Sequence, residues 1–402
     1  MPYYRSNLLV LWVTTFLAAA SWTQVVPFLP IFLAELGVED NLNQWAGIVF
    51  GVQYAAGIMM GPLWGRLADH RGRKLMTLRA GVCLSAIYFL TGLATEAWHV
   101  AVLRFLNGAL TGFIPSSIAL VAANTPKELA PRYVASIQTS VAAGTVVGPM
   151  IGGIFAGVFG IRGALFTSGS VVGFATLLVL LIVKEKHAGK PKERTTLLQD
   201  FSTALHSPTL LVVMIVTVVA MFGSIAVQPM LALYVQELSG SSSTALSGII
   251  FSLPGLALVI SASAWVRIGE RIGFRIVMRR ALAIAAIIAL AMPFIHSIVW
   301  FGVAYFLQGL FIAALRPSSS AMISTEVDSS FHGRAFGMQQ SATTLGGMFG
   351  PILAGLIGGM FGLGSVFWLV GVVMAAGVAV MYFLERERSK GATSLESNAT
   401  FQ

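Results

Sequence analysis

Charge is what this sequence has least of. Of 402 residues, 25 are Lys or Arg and 16 are Asp or Glu, 10% in all, against about 25% in soluble domains. So few charges cannot cover a water-soluble chain of this length, which excludes a soluble two-domain enzyme. Disorder is excluded as well, because disordered chains combine low hydrophobicity with high charge. Here 56% of the residues are apolar and the mean hydropathy is +0.82. Cysteine is nearly absent. Cys83 stands alone in an apolar run, so there is neither a disulfide framework nor a cysteine-based metal site. No HExxH, GxSxG, P-loop or dinucleotide glycine pattern occurs, and the polar segments are too short for a catalytic domain. The expectation is a protein that is not an enzyme, with no cofactor and no metal.

What remains is long apolar runs. A helix needs roughly 20 mostly apolar residues to cross a bilayer. Twelve such stretches lie near 8–34, 45–65, 75–94, 98–122, 133–158, 162–183, 209–235, 245–266, 276–295, 298–322, 334–359 and 364–384. The first resembles a signal peptide around Ala18-Ala19-Ala20, but only Arg5 precedes it and the apolar character continues through Pro27 to Leu36. It reads as an uncleaved first span.

The few charges orient the spans. Arg66, Arg71, Arg73, Lys74 and Arg79 cluster between or beside spans 2 and 3, and Lys127 and Arg132 follow span 4. Lys184, Lys186, Lys190, Lys192 and Arg194 follow span 6, and Arg267, Arg271, Arg275, Arg279 and Arg280 surround the connection between spans 8 and 9. The opposite loops carry Arg162 against Glu35, Glu39, Asp40, Glu96 and Glu237. The positive-inside rule puts both termini in the cytoplasm. The net charge of +9 is therefore topology. No basic run interleaves with aromatics as nucleic-acid binding requires.

The chain also repeats itself. Gly144, Gly148, Pro149, Gly153, Gly157 and Gly160 recur 202 residues later as Gly346, Gly350, Pro351, Gly355, Gly359 and Gly362, and Pro27 and Glu35 recur as Pro229 and Glu237. At an offset of 201, Trp64, Arg66 and Gly72 become Trp265, Arg267 and Gly273, and Phe105-Leu106-Asn107-Gly108 becomes Phe306-Leu307-Gln308-Gly309. A shared Gly–Pro register over several spans indicates a six-plus-six duplication. The division is residues 1–183, a cytoplasmic linker over 184–208, residues 209–388, and a tail over 389–402. Parallel halves of this kind hold a substrate site between them near the bilayer midplane.

Three local patterns carry more than topology. Gly65-Arg66-Leu67-Ala68-Asp69-His70-Arg71-Gly72-Arg73-Lys74 joins spans 2 and 3 and holds an acid, Asp69, between two glycines. Such an acid accepts charge-assisted hydrogen bonds from guanidinium groups of a neighbouring element. Span 4 holds Arg104 on one helical face with Asn107 and Thr111. An arginine there costs about 2.5–3.5 kcal/mol on insertion scales. In span 5, Gly144, Gly148-Pro149 and Gly152-Gly153 make a flat stripe for close helix approach, with a proline that removes a backbone hydrogen bond.

Together the three patterns resemble motifs A, B and C of the major facilitator superfamily, and the closest likeness is to its twelve-span drug:proton antiporters of bacterial multidrug efflux. The resemblance covers essentially the whole chain. It implies an all-α integral membrane fold of twelve transmembrane helices in two pseudo-symmetric six-helix bundles. It implies a conformational latch at Gly65, Asp69, Gly72 and Arg73, with His70 in place of a basic residue, and a coupling role for Arg104. The span-5 glycines and Pro149 then form the antiporter motif, the signature of the export branch. In the second copy of motif A, Phe274 replaces the arginine, so the latch is expected mainly in the first half.

No Asp or Glu lies deep in a span. Coupling candidates besides Arg104 are Asp69, Glu35 and Glu237. Candidate cavity groups are Trp22, Gln24, Gln53, Tyr54, Asn107, Gln138, Phe222, Gln228, Tyr305, Gln308, Arg316 and Gln340, which with many Met and Phe suit an adaptable pocket for amphipathic molecules. The expectation is a proton-coupled secondary exporter of small amphipathic organic compounds, acting as a monomer in a bacterial plasma membrane, with small-molecule substrate, protons and the lipid bilayer as its partners. Two intramembrane arginines without embedded acids leave open an anionic substrate such as a siderophore. An importer of the same fold is the remaining alternative.

Overall fold

The computed structural model describes residues 3–126, 128–185, 207–328 and 331–399, apart from the side chains of Pro62, Arg66, Asp69, Glu385 and residues 387–399. The linker expected over 184–208 therefore lies largely outside the described residues. Fourteen helices are described: α1 Tyr3–Val25, α2 Leu29–Glu35, α3 Leu42–Arg71, α4 Arg73–Gly92, α5 Ala97–Leu110, α6 Phe113–Asn124, α7 Ala130–Ile182, α8 Pro208–Ala226, α9 Gln228–Ser239, α10 Thr244–Ile272, α11 Phe274–Ala291, α12 Ile298–Glu326, α13 His332–Phe361 and α14 Ser365–Ala399. No strand occurs among the described residues.

Among the described residues, ten helical stretches are long and apolar enough to cross a membrane. One of them, the 53-residue α7, reverses direction at Gly160 (φ 70°, ψ 172°) and so carries two crossings. The 30-residue α3 supplies the twelfth. Only a residue without a Cβ takes that backbone conformation freely, and its repeat mate Gly362 (φ 85°) makes the matching reversal between α13 and α14. The prolines of the repeat also act alike. Pro27 sits in a short 3-10 turn that separates α1 from α2, and Pro229 stands at the start of α9, just past the end of α8. Each breaks a crossing because proline cannot donate to the preceding turn.

Helices built from such sequences bury backbone polar groups internally and leave their outer faces to lipid. Accordingly Leu9, Val82, Leu181, Ile287, Phe294 and Phe383 are exposed on the outside of the bundle. The interior is packed by small residues. The Gly144, Gly148 and Gly152 stripe of α7 lies directly on the α1 backbone at Phe16, Ala20 and Gln24, where a Cβ would collide. Gly346 and Gly350 of α13 lie in the same way on Val218 and Phe222 of α8. The largest apolar cluster joins residues of both halves, including Phe28, Phe32, Met230, Leu231, Phe301 and Phe367. A smaller separate cluster, around Leu11, Ala80, Leu120, Ile137 and Val179, belongs to the first half alone.

Candidate functional site

The two halves meet tightly at one end of the bundle. There the Gly47 and Gly51 positions of α3 lie on Pro351, Ile352 and Gly355 of α13, and the Gly248 position of α10 lies on Pro149 and Gly153 of α7. These two contacts are repeat mates of each other. Cross-half hydrogen bonds close the same end: Thr244 Oγ1 donates to the Gly153 carbonyl at 2.8 Å, and Asn43 Nδ2 donates to the Gly358 carbonyl at 3.3 Å. Backbone lies directly on backbone at both contacts.

Towards the opposite end, where α1 begins, the halves part around a cavity of about 1050 Å³. Trp12 of α1 and Gln138, Thr139, Ala142, Ala143, Val146 and Val147 of α7 form one wall. Leu256, Leu258, Val259 and Ala262 of α10, Arg316, Pro317 and Ser320 of α12, and Phe336, Gln339, Gln340 and Thr343 of α13 form the other. The volume suits a small organic molecule. Among the described residues Arg316 is the only charged one of the lining, and it remains exposed to the cavity.

Three of the cavity groups expected from sequence, Gln138, Arg316 and Gln340, line this space. The others lie elsewhere in the bundle. Gln24 is buried and donates to the Ala164 carbonyl and Thr167 Oγ1, both at 3.2 Å. Phe222 is core, and Trp22 packs against the same core. The Tyr54 ring lies across the half-to-half seam against Gly347. Asn107 is buried at the end of α5, and its backbone carbonyl accepts from Thr111 Oγ1. Tyr305 stacks on Phe301 at 5.9 Å, and Gln308 is buried with its Nε2 unpartnered. Gln228 is half-buried at the start of α9.

Arg104 is buried, 6% exposed, and away from the cavity. Its Nη1 donates to Gln53 Oε1 at 2.9 Å and its guanidinium lies 5.8 Å from the Phe50 ring, while Nη2 has no partner. Of the latch residues, Gly72 turns the chain between α3 and α4, and Gly65 lies within α3. Arg73 reaches the Ala119 carbonyl through Nη1 at 2.6 Å, and Glu185 accepts from the backbone N–H groups of Arg73 and Lys74 at 2.8 and 3.0 Å. A carboxylate there caps the positive end of α4. The side chain of Asp69 lies outside the described residues. Glu35 and Glu237 are exposed, one as the last residue of α2 and the other near the end of α9.

One arginine behaves differently from its sequence neighbours. Arg79 groups by position with the basic loop between spans 2 and 3, yet it stands inside α4, past its first turn. Its guanidinium stacks 3.4 Å over the Trp64 ring and donates to the Thr111 carbonyl at 3.4 Å, with Nε and Nη1 buried and unpartnered. Thr111 and Gly112 (φ 120°) are where the fourth crossing unwinds between α5 and α6. A guanidinium at the C-terminal end of α5 faces the carbonyls that the break leaves without helical partners. Sequence reasoning also missed Trp12, Thr139, Ser320, Phe336, Gln339 and Thr343 in the cavity wall. The one available signal was position: all sit in the halves of their spans nearest the α1 start.

The family model of the Major Facilitator Superfamily matches residues 11–258 and 213–400. Over 393 residues the chain is 33% identical to multidrug resistance protein MdtG of Escherichia coli (strain SMS-3-5 / SECEC), covering 96% of each. Its fold matches that of a bacterial homologue of the human lysosomal transporter Spinster, crystallised in an inward-facing, occupied conformation, with a TM-score of 0.81 at 14% identity over 96% of this chain and 97% of that one. The nucleoside transporter NupG gives a TM-score of 0.78 at 14% identity over 94% and 98%.

Proposed function

The chain belongs to the major facilitator superfamily of membrane transporters, and on that premise we propose that it is a proton-driven exporter of small amphipathic organic compounds from a bacterial cytoplasm, working by alternating access as a monomer in the plasma membrane. The observation that carries this reading is the pairing of a large cavity between the halves with a tight seal at the opposite end of the same seam. With the termini in the cytoplasm, as the loop charges favour, the cavity faces inward and the sealed end faces out. Exchange between this state and its mirror image requires the Gly47/Pro351 and Gly248/Pro149 contacts to part while the cavity end closes.

In this reading cargo enters among Trp12, Gln138, Arg316 and Gln340. The mixed aromatic, aliphatic and amide walls are adaptable rather than matched to one shape. Gly65, Asp69, Gly72 and Arg73 latch the closed form of the cytoplasmic end. Arg104, buried beside Gln53, takes part in coupling, and exposed Glu35 and Glu237 are the subsidiary candidates. The Gly144, Gly148 and Gly152 stripe keeps α7 packed closely on α1 within the first half as the halves rock. Likeness to a multidrug resistance protein over nearly the full length supports export over import.

The test is expression in an efflux-deficient bacterial strain, with a chemically diverse panel profiled with and without a protonophore. Resistance that disappears when the proton gradient collapses is the expected result. Resistance that survives the collapse overturns proton coupling, and cellular accumulation in place of exclusion overturns the direction.

A further inference from the structure

The cavity wall contains a polar arrangement more specific than a multidrug pocket needs. Arg316 is unpaired among the described residues and open to the cavity, and no Asp or Glu shares the lining. Four residues on, on the same face of α12, Ser320 Oγ donates to Gln339 Oε1 of α13 at 3.3 Å. In this arrangement the Nε2 end of the Gln339 amide is the one without a partner. Gln339 is itself 8% exposed, and its Nε2 is buried with no partner. A buried amide donor without an acceptor costs about 1–3 kcal/mol, while the exposed Arg316 guanidinium carries a full positive charge with no counter-charge in the described lining. Both are hydrogen-bond donors on the second half's side of the cavity, Arg316 on α12 and Gln339 on α13.

We infer that Arg316 and Gln339 form an anion subsite that holds the acidic group of an amphipathic organic anion, with the apolar body of the ligand laid across the seam against Trp12 and Val147 of the first half and Phe336 of the second. A planar carboxylate or sulfonate offers several oxygens, which suits the guanidinium fork together with one amide N–H. An organic cation finds no counter-charge among the described residues of this wall and meets the like charge of Arg316. A neutral ligand satisfies neither donor fully. The subsite therefore narrows the substrate class from amphipathic compounds in general to amphipathic anions. This rests on the reading of the cavity as the substrate site, but not on the direction of transport or on its coupling to protons.

Equilibrium binding to the purified full-length protein separates the two questions, since no gradient is involved. Three probes share one ring system: 2-naphthaleneacetate, its neutral amide 2-naphthaleneacetamide, and the cationic 2-naphthaleneethanamine. Binding is read by calorimetry and by quenching of tryptophan fluorescence. The acetate should bind at least about tenfold tighter than the amide, in keeping with a charge-assisted hydrogen bond, and the amine weakest. Arg316→Gln should erase the acetate preference, and a thermal unfolding profile in detergent matching that of the wild type shows that the variant is folded. Gln339→Leu should cost the acetate about three- to fivefold, within the range of one neutral donor, and Arg316→Lys should retain part of the preference. Equal affinity for the three probes in the wild type overturns the subsite, as does an acetate preference that persists in Arg316→Gln. Saturable binding of acetate with no protonophore-sensitive efflux in cells leaves the subsite standing and overturns proton-driven export instead.

Discussion

The two halves share a backbone plan but use their cations in opposite ways. In the first half Arg104 and Arg79 are taken into the packing, one against Gln53 and Phe50, the other over Trp64 at the unwound point of the fourth crossing. At the repeat positions of the second half stand Tyr305 and Arg280. Tyr305 stacks on Phe301 and Arg280 is exposed. Pro254 stands where the first half has Gln53, and α12 runs unbroken where α5 and α6 part. The second half instead turns Arg316 into the cavity. Duplication thus supplied one scaffold twice, and divergence made the first half the one that stores buried charge and the second the one that presents it. The parts kept in common are those that touch backbone: Trp64 Nε1 donates to the Ala109 carbonyl at 2.5 Å, and Trp265 Nε1 to the Leu310 carbonyl at 2.8 Å.

The largest difference between the halves should appear at the first of these positions. Arg104→Ala should abolish gradient-driven transport in everted vesicles, whereas Tyr305→Ala should leave the proton dependence of transport intact. Wild-type flux in Arg104→Ala would remove Arg104 from the mechanism and with it the functional asymmetry. Next come the paired seals, where the halves should behave alike. Gly47→Leu and Gly248→Leu each force bulk onto a backbone contact, and overpacking of about 1–3 kcal/mol lowers the sealed population roughly 5- to 150-fold. Efflux rates and cysteine-labelling access from the sealed side report this, and a block by only one of the two would show that the seal is not symmetric.

Smaller effects test the half-buried Arg79. Arg79→Ala should lose about 2 kcal/mol of stability, the scale of a desolvated cation–π contact, while Arg280→Ala should stay within about 0.5 kcal/mol, as surface changes do. Thermal unfolding in detergent compares them. Smallest is the backbone. Gly112→Ala strains a residue at φ 120° with no neighbour within 4 Å of the new carbon, costing about 1 kcal/mol. At the matching site in continuous α12, Ala313→Gly should cost about the same for the reverse reason, a glycine inside a helix. A stabilising Gly112→Ala would mean that the break is not required.

Much of the architecture was legible because it rests on local rules. Crossings follow from apolar length, the repeat from a shared Gly–Pro register, and the turns at Gly160 and Gly362 from the gaps between apolar runs, whereas the breaks at Pro27 and Pro229 fall inside stretches that apolar length alone reads as continuous. The candidate site was legible only in part. Arg316, Gln138 and Gln340 were expected in the cavity and line it, whereas Gln24, equally polar and equally placed in a span, bonds to Ala164 and Thr167. Polarity within a span marks a residue that needs a partner, not which partner it finds. Arg79 was hidden by its neighbours, since a cluster of basic residues at a span edge reads as loop charge. Gln339 and Trp12 gave no signal distinct from any other amide or aromatic.

The sequence by itself determined a membrane-spanning helical protein, its duplication and the family pattern, because those depend on composition, periodicity and spacing along one chain. Which end of the seam is sealed, which arginine is buried and which faces the cavity were decided only by tertiary structure. Each depends on the rotation of a helix about its axis and on partners distant in sequence, such as the 51 residues between Gln53 and Arg104. Neither quantity is written into a local run of residues.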